Sequence, residues 1–435
     1  MLRLRGVIRL NKSNQKPFNF ARQSANGPLL VKNRFRIIGI DGTCKSVPGG
    51  PPIKRESSEK QSLKFQLQAQ TAQLSSILRS AFLPVGYPET VSPRYFKYIG
   101  YNMIQVTFIS LSRVLSTQAM LIAVGLGQGS ALPLAAVMNW ILKDGLGHLG
   151  SIVVGASINT KFDSDPKRYK FLSVFLGQGA NLLGILSLAR PGMFLLLTSL
   201  SSALSRVGTL AITSSRARIY ANFSTAGNIG DLMRCSQAQS TLATLVGTAA
   251  GVIISPLVGA DINTILGVFV PVTVLTHIYA YKAVGVIELR TINRQRLELI
   301  VDEWLKKGCI PSVTRVAERE RFVLRRNGIF GIEVNPEISS EIVDQDFLDR
   351  LASSEGYCVR PRTGGRTVDL FIRETCSPEH VIKGSVEACF ASAAAGSRER
   401  FDLEWTKFWN QLNEAGWDTS VTFIDEPANR ISLLT

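Results

Sequence analysis

One stretch decides what this chain can become. From about residue 102 to residue 281 the sequence is apolar almost throughout, interrupted only by short turns marked with Gly, Pro or charge. A tract of that length folds either as a stack of membrane-crossing helices or as a large buried helical core. Its punctuation divides it into six segments, 102–124, 132–158, 171–189, 192–212, 241–259 and 263–281. Most approach the ~20 residues needed to cross ~30 Å of hydrocarbon, and the third and fifth fall a little short.

The connecting segments separate the two outcomes, because cations accumulate on the side from which a membrane protein is inserted. If the six segments alternate in direction, one side receives Arg94 and Lys97, then Lys161, Lys167, Arg168 and Lys170, then Arg216, Arg218 and Arg234, then Lys282 and Arg290. The other receives Gly125 to Ala131, the Arg190-Pro191-Gly192 turn and Ala260 to Ile262, with Arg190 its single cation. A soluble core has no reason to sort loop charge by parity. The expected fold class is therefore mainly α: a multi-span helical membrane domain of about six spans within residues 61–290, followed over 291–435 by a small soluble α+β domain.

The alternative, a soluble helical bundle, draws on four charges inside the spans, Arg113, Lys143, Asp144 and Arg206. In a membrane such charges are costly unless paired or facing water, which makes these four the candidate buried-charge or ligand site. Three cations against one acid leave a positive interior suited to an anionic or phosphorylated ligand. A structural network is the plainer reading of the same residues.

The second segment also contains a G-x-G-x-x-G at Gly145, Gly147 and Gly150, with Asp163 and Asp165 near the distance of a ribose-binding acid. A dinucleotide site needs a short strand before the first glycine and an amphipathic helix after the last. Here ALPLAAVMNWIL precedes and SIVVGASI follows, so the glycines are expected to serve helix contact or a local break instead. Gly247-x-x-x-Gly251 is a second small-residue pair of the kind that lets helices approach closely.

The N-terminus carries Arg3, Arg5, Arg9, Lys12, Lys16, Arg22, Lys32, Arg34 and Arg36 before the first acid, Asp41. An acid-free, arginine-rich start without an apolar core reads as an organelle transit peptide or a disordered basic segment over residues 1–60, for plastid or mitochondrion alike. Much of the net charge of +16 sits there, and no basic patch interleaved with aromatics argues for nucleic acid. The six cysteines form no CxxC pair and the three histidines no HExxH, so no metal site is expected. In the C-terminal third, Ile292 to Gly308, Ser377 to Ala393 and Phe401 to Gly416 read as helices, while Arg366 to Glu374 and Trp417 to Asp425 alternate like strands. Trp405, Trp409 and Trp417 are expected as core anchors.

Five stretches carry a resemblance. LPVGYPETVSPRYFKY (Leu83 to Tyr98), LSTQAML (Leu115 to Leu121), NWILKDGLGHLG (Asn139 to Gly150), NTKFDSDPKRYK (Asn159 to Lys170) and NIGDLMRCSQ (Asn228 to Gln237), in this order, resemble the root UVB sensitive protein family. The basic N-terminus and overall length are most like a shorter plant paralogue. The resemblance implies a non-enzymatic plastid protein linked to root UV-B response, vitamin B6 homeostasis, root development and polar auxin transport. It also implies a hetero-oligomer with a paralogous family member, and membrane residence as in animal relatives.

Carried over by position, its motif residues are Pro84, Gly86, Tyr87, Pro88, Asp144, Gly145, Asp163, Asp165, Pro166, Lys167, Asp231, Ser236 and Gln237. Gly230 and Cys235 depart from the family pattern in the last of these motifs. Asp165 and Pro166 fit N-cap and N1 of the third helix. No cofactor is expected, and pyridoxal phosphate or another B6 vitamer stands only as a ligand. The rival function is transport of such a small phosphorylated anion along Arg113, Lys143 and Arg206.

Overall fold

The computed structural model describes residues 35–38, 44–47, 75–76, 78–125, 134–158, 164–323, 328–337, 344–353, 355–362, 367–394, 398–424 and 430–431. The chain divides into two units, 1–73 and 74–435. In the first, strand β1 (Phe35–Ile38) pairs antiparallel with β2 (Cys44–Val47), Phe35 opposite Val47. Apart from this hairpin, the transit-peptide reading of 1–60 lies outside the described residues.

The second unit opens with six long helices: α1 (Tyr95–Ala123), α2 (Leu134–Ile158), α3 (Pro166–Ala189), α4 (Phe194–Phe223), α5 (Ile229–Val258) and α6 (Ile262–Gly285). Among the described residues five helices are long and apolar enough to cross a membrane: α1, α3, α4 with the short 3-10 turn before it, α5 and α6. Helix α2, 25 residues long, occupies the place of the second predicted segment.

The helices outrun their predicted apolar segments. Helix α1 begins at Tyr95 rather than 102, α4 runs to Phe223 rather than 212, and α5 starts at Ile229 rather than 241. The α4 and α5 extensions are rich in Arg, Gln and Ser and the α1 extension in Tyr, so apolarity alone cuts them off. At ~1.5 Å per residue a 30-residue helix measures about 45 Å, well beyond the ~30 Å of a hydrocarbon core, and its polar turns have somewhere to go.

Alternating direction gathers the cationic helix ends. Arg94 pairs with Glu288 at 2.9 Å, Val91 bridges Ser224, and Tyr95, Tyr98, Tyr220, Phe223, Leu232 and Ile287 form one packed cluster. A second cluster closes the opposite end, where Leu111, Leu115 and Ala119 meet Ile185, Val258, Ile265 and Phe269. Between the two, α1 and α5 touch backbone to backbone. A Cβ on Gly247 would lie 2.1 Å from the Thr107 carbonyl oxygen, and one on Gly251 2.7 Å from Val114 Cβ. Gln118 bridges the same pair further on, donating to the carbonyls of Ser255 (3.1 Å) and Gly259 (2.8 Å).

The α+β part follows. Strand β3 (Thr291–Asn293) leads into α7 (Arg294–Lys307), capped by Asn293, whose side chain accepts from the Arg296 amide. Then come α8 (Val313–Arg319), β4 (Gly331–Val334), α9 (Gln345–Ala352), β5 (Tyr357–Pro361), β6 (Thr367–Ile372), α10 (Pro378–Ser392), α11 (Arg398–Glu414) and β7 (Asp418–Phe423). β6 is central to a three-stranded sheet, parallel to β4 and antiparallel to β5, and β3 pairs parallel with β7. The core joins Trp304, Leu370, Ile372, Val386, Phe390, Phe408 and Trp417. Trp405 and Trp409 pack against it with ring centroids 5.3 Å apart, as one helix face requires.

Candidate functional site

The four charges expected to share a site do not. Lys143 Nζ lies 3.0 Å from Asp144 Oδ1 and 4.3 Å from the centroid of the Trp140 ring. Arg206 reaches the same oxygen at 4.0 Å and Ser202 donates to it at 3.4 Å. These contacts stitch α2 to α4, where Gly147 and Gly150 let the helices close on Ser202 and Ala203. The G-x-G-x-x-G therefore lies inside one unbroken helix, with no strand-to-helix turn and no local break. Gly145 meets nothing within 4 Å. Arg113 stands apart, exposed on α1, so a single path along Arg113, Lys143 and Arg206 is corrected: two of its cations are spent on Asp144.

Arg113 belongs to a different assembly. A crevice of about 220 Å³ opens between α1, α3, α4 and α5. Helices α4 and α5 touch near their connecting turn, where Tyr220 hydroxyl meets Ser236 Oγ and Arg216 donates to Gln237 Oε1 at 3.1 Å. Beyond that contact they form facing walls, with Ser205 and Thr209 on one and Ser240 and Thr244 on the other. Lys170, only 2% exposed, lines the inner wall and donates to Asn102 Oδ1 at 2.7 Å, its ammonium 5.2 Å from the Tyr98 ring centroid. Gln105, 3% exposed, lines the same wall with an amide oxygen that has no partner among the described residues. Three cations, Lys170, Arg216 and Arg113, face this space, and none of the described lining residues is acidic.

Sequence reasoning placed Lys170 and Arg216 in loops and missed both. The signal available was their spacing. Lys167 and Lys170 are one helical turn apart, as are Arg216 and Tyr220, so a helix extended past its apolar segment carries them inward.

Several motif positions hold this arrangement from behind. Ser236 and Gln237 fix Tyr220 and Arg216. Asp231 accepts from the Val85 amide at 2.7 Å and pairs with Arg234 at 2.8 Å, fastening the loop of Pro84, Gly86, Tyr87 and Pro88 to the start of α5. Pro84 is buried, Tyr87 packs on the aromatic cluster, and the Tyr87-Pro88 peptide is cis. Gly86 adopts φ +74°, and a Cβ there would meet Thr90 Cγ2 at 2.6 Å. Asp163 lies outside the described residues.

The start of α3 is also a junction. Asp165 and Pro166 occupy N-cap and N1 as expected, but the Asp165 side chain makes no capping hydrogen bond. Lys167 instead ends 2.6 Å from Glu320, which also pairs with Arg296 at 2.9 Å, all three side chains at most 1% exposed. Burial alone would raise Glu320; Arg296 and Lys167 together outweigh it and hold the carboxyl below its ordinary value. Asp165, buried beside the Glu320 charge, is pushed up to about 6. Asn293 donates to the Ser164 carbonyl at 2.9 Å across the same seam. A second cavity, about 350 Å³ in the α+β part, is lined by Arg350, Arg360 and Arg398 but also by Asp346 and Glu387, so its charges are mutually satisfied.

With this geometry in hand, the comparisons with known proteins fall into place. Residues 68–308 match the UVB-sensitive-protein family, described as a vitamin B6 photo-protection and homoeostasis domain. The chain belongs to this family. Protein root UVB sensitive 4 of Arabidopsis thaliana is 25% identical over 446 aligned residues, covering 93% of this chain and 83% of that protein. Protein root UVB sensitive 2, chloroplastic, of the same plant is the shorter paralogue expected to be most alike, but its likeness does not run the length of the chain as that of root UVB sensitive 4 does. It is 32% identical over 234 residues, and the likeness is confined to 53% of each chain. A relative outside plants, RUS family member 1 of Dictyostelium discoideum, is 29% identical over 57% of this chain and 48% of its own. No solved structure matches. The family match spans the six helices, the crevice and the motif residues, and stops before Glu320.

Proposed function

We propose that this chain is a non-enzymatic plastid membrane protein that serves vitamin B6 homeostasis in a hetero-oligomer with a paralogous family member. Root UV-B response, root development and polar auxin transport would depend on it through that balance. The observation that carries membrane residence is an inverted surface. Phe175, Leu196, Leu245, Ile253 and Leu257 are between 62% and 81% exposed, whereas Ser112, Ser187, Thr198, Ser215 and Ser236 are at most 1% exposed. A soluble bundle does the reverse, since each large apolar side chain left in water forgoes roughly 1.5–3 kcal/mol of burial. Lipid removes that penalty, and Ser187, Thr198 and Ser215 donate to carbonyls one turn back, Thr198 to Phe194 at 2.7 Å, while Ser236 meets the Tyr220 hydroxyl.

The plastid is supported by the acid-free, arginine-rich start and by the chloroplastic relative, and the B6 role by the family description. Absence of catalysis and the paralogous partner rest on the family resemblance. The test is import of the full chain into isolated chloroplasts followed by alkaline carbonate extraction. Retention in the membrane pellet, with the α+β part protected from added protease, is the expected result. Release into the supernatant ends the membrane reading, and import only by mitochondria moves the protein to that organelle.

A further inference from the structure

Cations inside the helical part are matched by acids at Asp144 and at Glu320. The crevice between α1, α3, α4 and α5 is different. Among the described residues Lys170 bonds to the neutral Asn102 amide beside the Tyr98 ring, Arg216 to the neutral Gln237 amide, neither to an acid, and Arg113 faces the same space. A buried ammonium stabilised by an amide and an aromatic ring alone is poorly compensated, since the desolvation of a buried ion costs several kcal/mol. A charge arrangement of that kind is completed by an anion brought from outside.

We propose that the crevice is the binding site for a phosphate monoester, its phosphate held by Lys170 and Arg216. Four observations define the class. The guanidinium of Arg216 offers a planar fork that matches phosphate oxygens two at a time, and the Lys170 ammonium adds a point charge. The volume of about 220 Å³ admits a single small ring or chain beside the phosphate, not a dinucleotide. Tyr98 and Tyr220, with ring centroids 6.1 Å apart, give that ring an aromatic wall. The unpartnered Gln105 oxygen is an acceptor for a hydroxyl or protonated ring nitrogen on the ligand. Ser236 and Gln237 act as positioning residues, holding Tyr220 and Arg216 toward the crevice.

The phosphate assignment stands on the crevice alone. The choice of probe rests on the proposed role in vitamin B6 balance. Two sources share the chemistry, a soluble phosphorylated metabolite and the headgroup of a phosphatidic acid lipid, and the test separates them. Full-length protein in neutral detergent is titrated with pyridoxal 5′-phosphate, with unphosphorylated pyridoxal, and with inorganic phosphate, by calorimetry. In parallel, its flotation with phosphatidylcholine vesicles is compared with and without phosphatidic acid.

Saturable binding of pyridoxal 5′-phosphate, with pyridoxal at least tenfold weaker and inorganic phosphate competing, assigns a soluble ligand. Flotation that depends on phosphatidic acid, without soluble binding, assigns a lipid headgroup. In either case Arg216→Gln, at a half-exposed position that tolerates change, weakens binding at least tenfold. Lys170→Gln does the same, and Arg206→Gln, whose guanidinium is engaged at Asp144, leaves it within twofold. Binding by neither source, or binding insensitive to Arg216→Gln, overturns the proposal. The outcome is independent of carbonate extraction: a protein that binds but washes from membranes loses the membrane reading alone, and one that stays in membranes but binds nothing loses the site alone.

Discussion

Asp165 shows how a residue can be placed correctly by sequence and misread in role. Its position before Pro166 announces a helix start, and α3 starts there, yet its environment is set by Glu320, 155 positions further on. Nothing local in Asp-Ser-Asp-Pro encodes that neighbour. The consequence is a pH dependence whose sign follows from linkage. The folded-state value of Asp165, about 6, lies above its unfolded value of about 3.8, so folding favours the protonated form. Its contribution to stability is full below about pH 4 and is lost as pH rises through 6. Asp165→Asn should therefore match the wild type at pH 4 and exceed it at pH 7.5, by about 3 kcal/mol for a shift of about two units. Thermal unfolding in micelles at the two pH values measures it, and equal melting points at pH 7.5 would show that the carboxylate is not penalised. Lys170 and Arg216 belong to the same lesson: as residue types they read as loop cations, and only the extra helical turns carry them to the crevice.

At the scale of elements the sequence was most legible where one period dominates. All six helices form where an apolar segment announced them, and α10 and strand β6 lie within a few residues of expectation, because each is set by apolar spacing or a capping side chain. Helix ends were less legible, since polar turns beyond an apolar segment look like loops when only hydropathy is read. That helices close in was legible at Gly147 and Gly150 and at Gly247-x-x-x-Gly251, but their partners, α4 and α1, come from the structure. Gly247→Val should force α1 and α5 apart and cost about 1–3 kcal/mol or more, as overpacking does. Gly267→Ala, on α6 with nothing within 4 Å of the added carbon, should be neutral or stabilising by up to about 1 kcal/mol. Melting temperatures of the two variants in one detergent decide the matter; a Gly247→Val protein as stable as its parent would show that the seam is loose.

For the whole molecule, the family match ends at residue 308, but the buried charges do not. Lys167 on α3 and Arg296 on α7 depend on Glu320, which lies beyond that limit. A chain stopped at 308 keeps both cations and removes their carboxylate, an arrangement that typically costs about 3–5 kcal/mol. It is expected to accumulate poorly and to be cut rapidly by protease, while Lys167→Met with Arg296→Met in the same truncated chain restores part of the yield. Equal protease resistance of the truncated and full chains would show that the helical part needs nothing from the tail.

The crevice, finally, sits between the aromatic cluster around Tyr98 and Phe223 and the aliphatic one around Leu115 and Ile185. Packed side chains lie toward either face, while its flank stays open where Arg113 and Thr209 are exposed. A guest of the proposed kind would therefore reach Lys170 and Arg216 from the flank, between helices, rather than along a path from one face to the other.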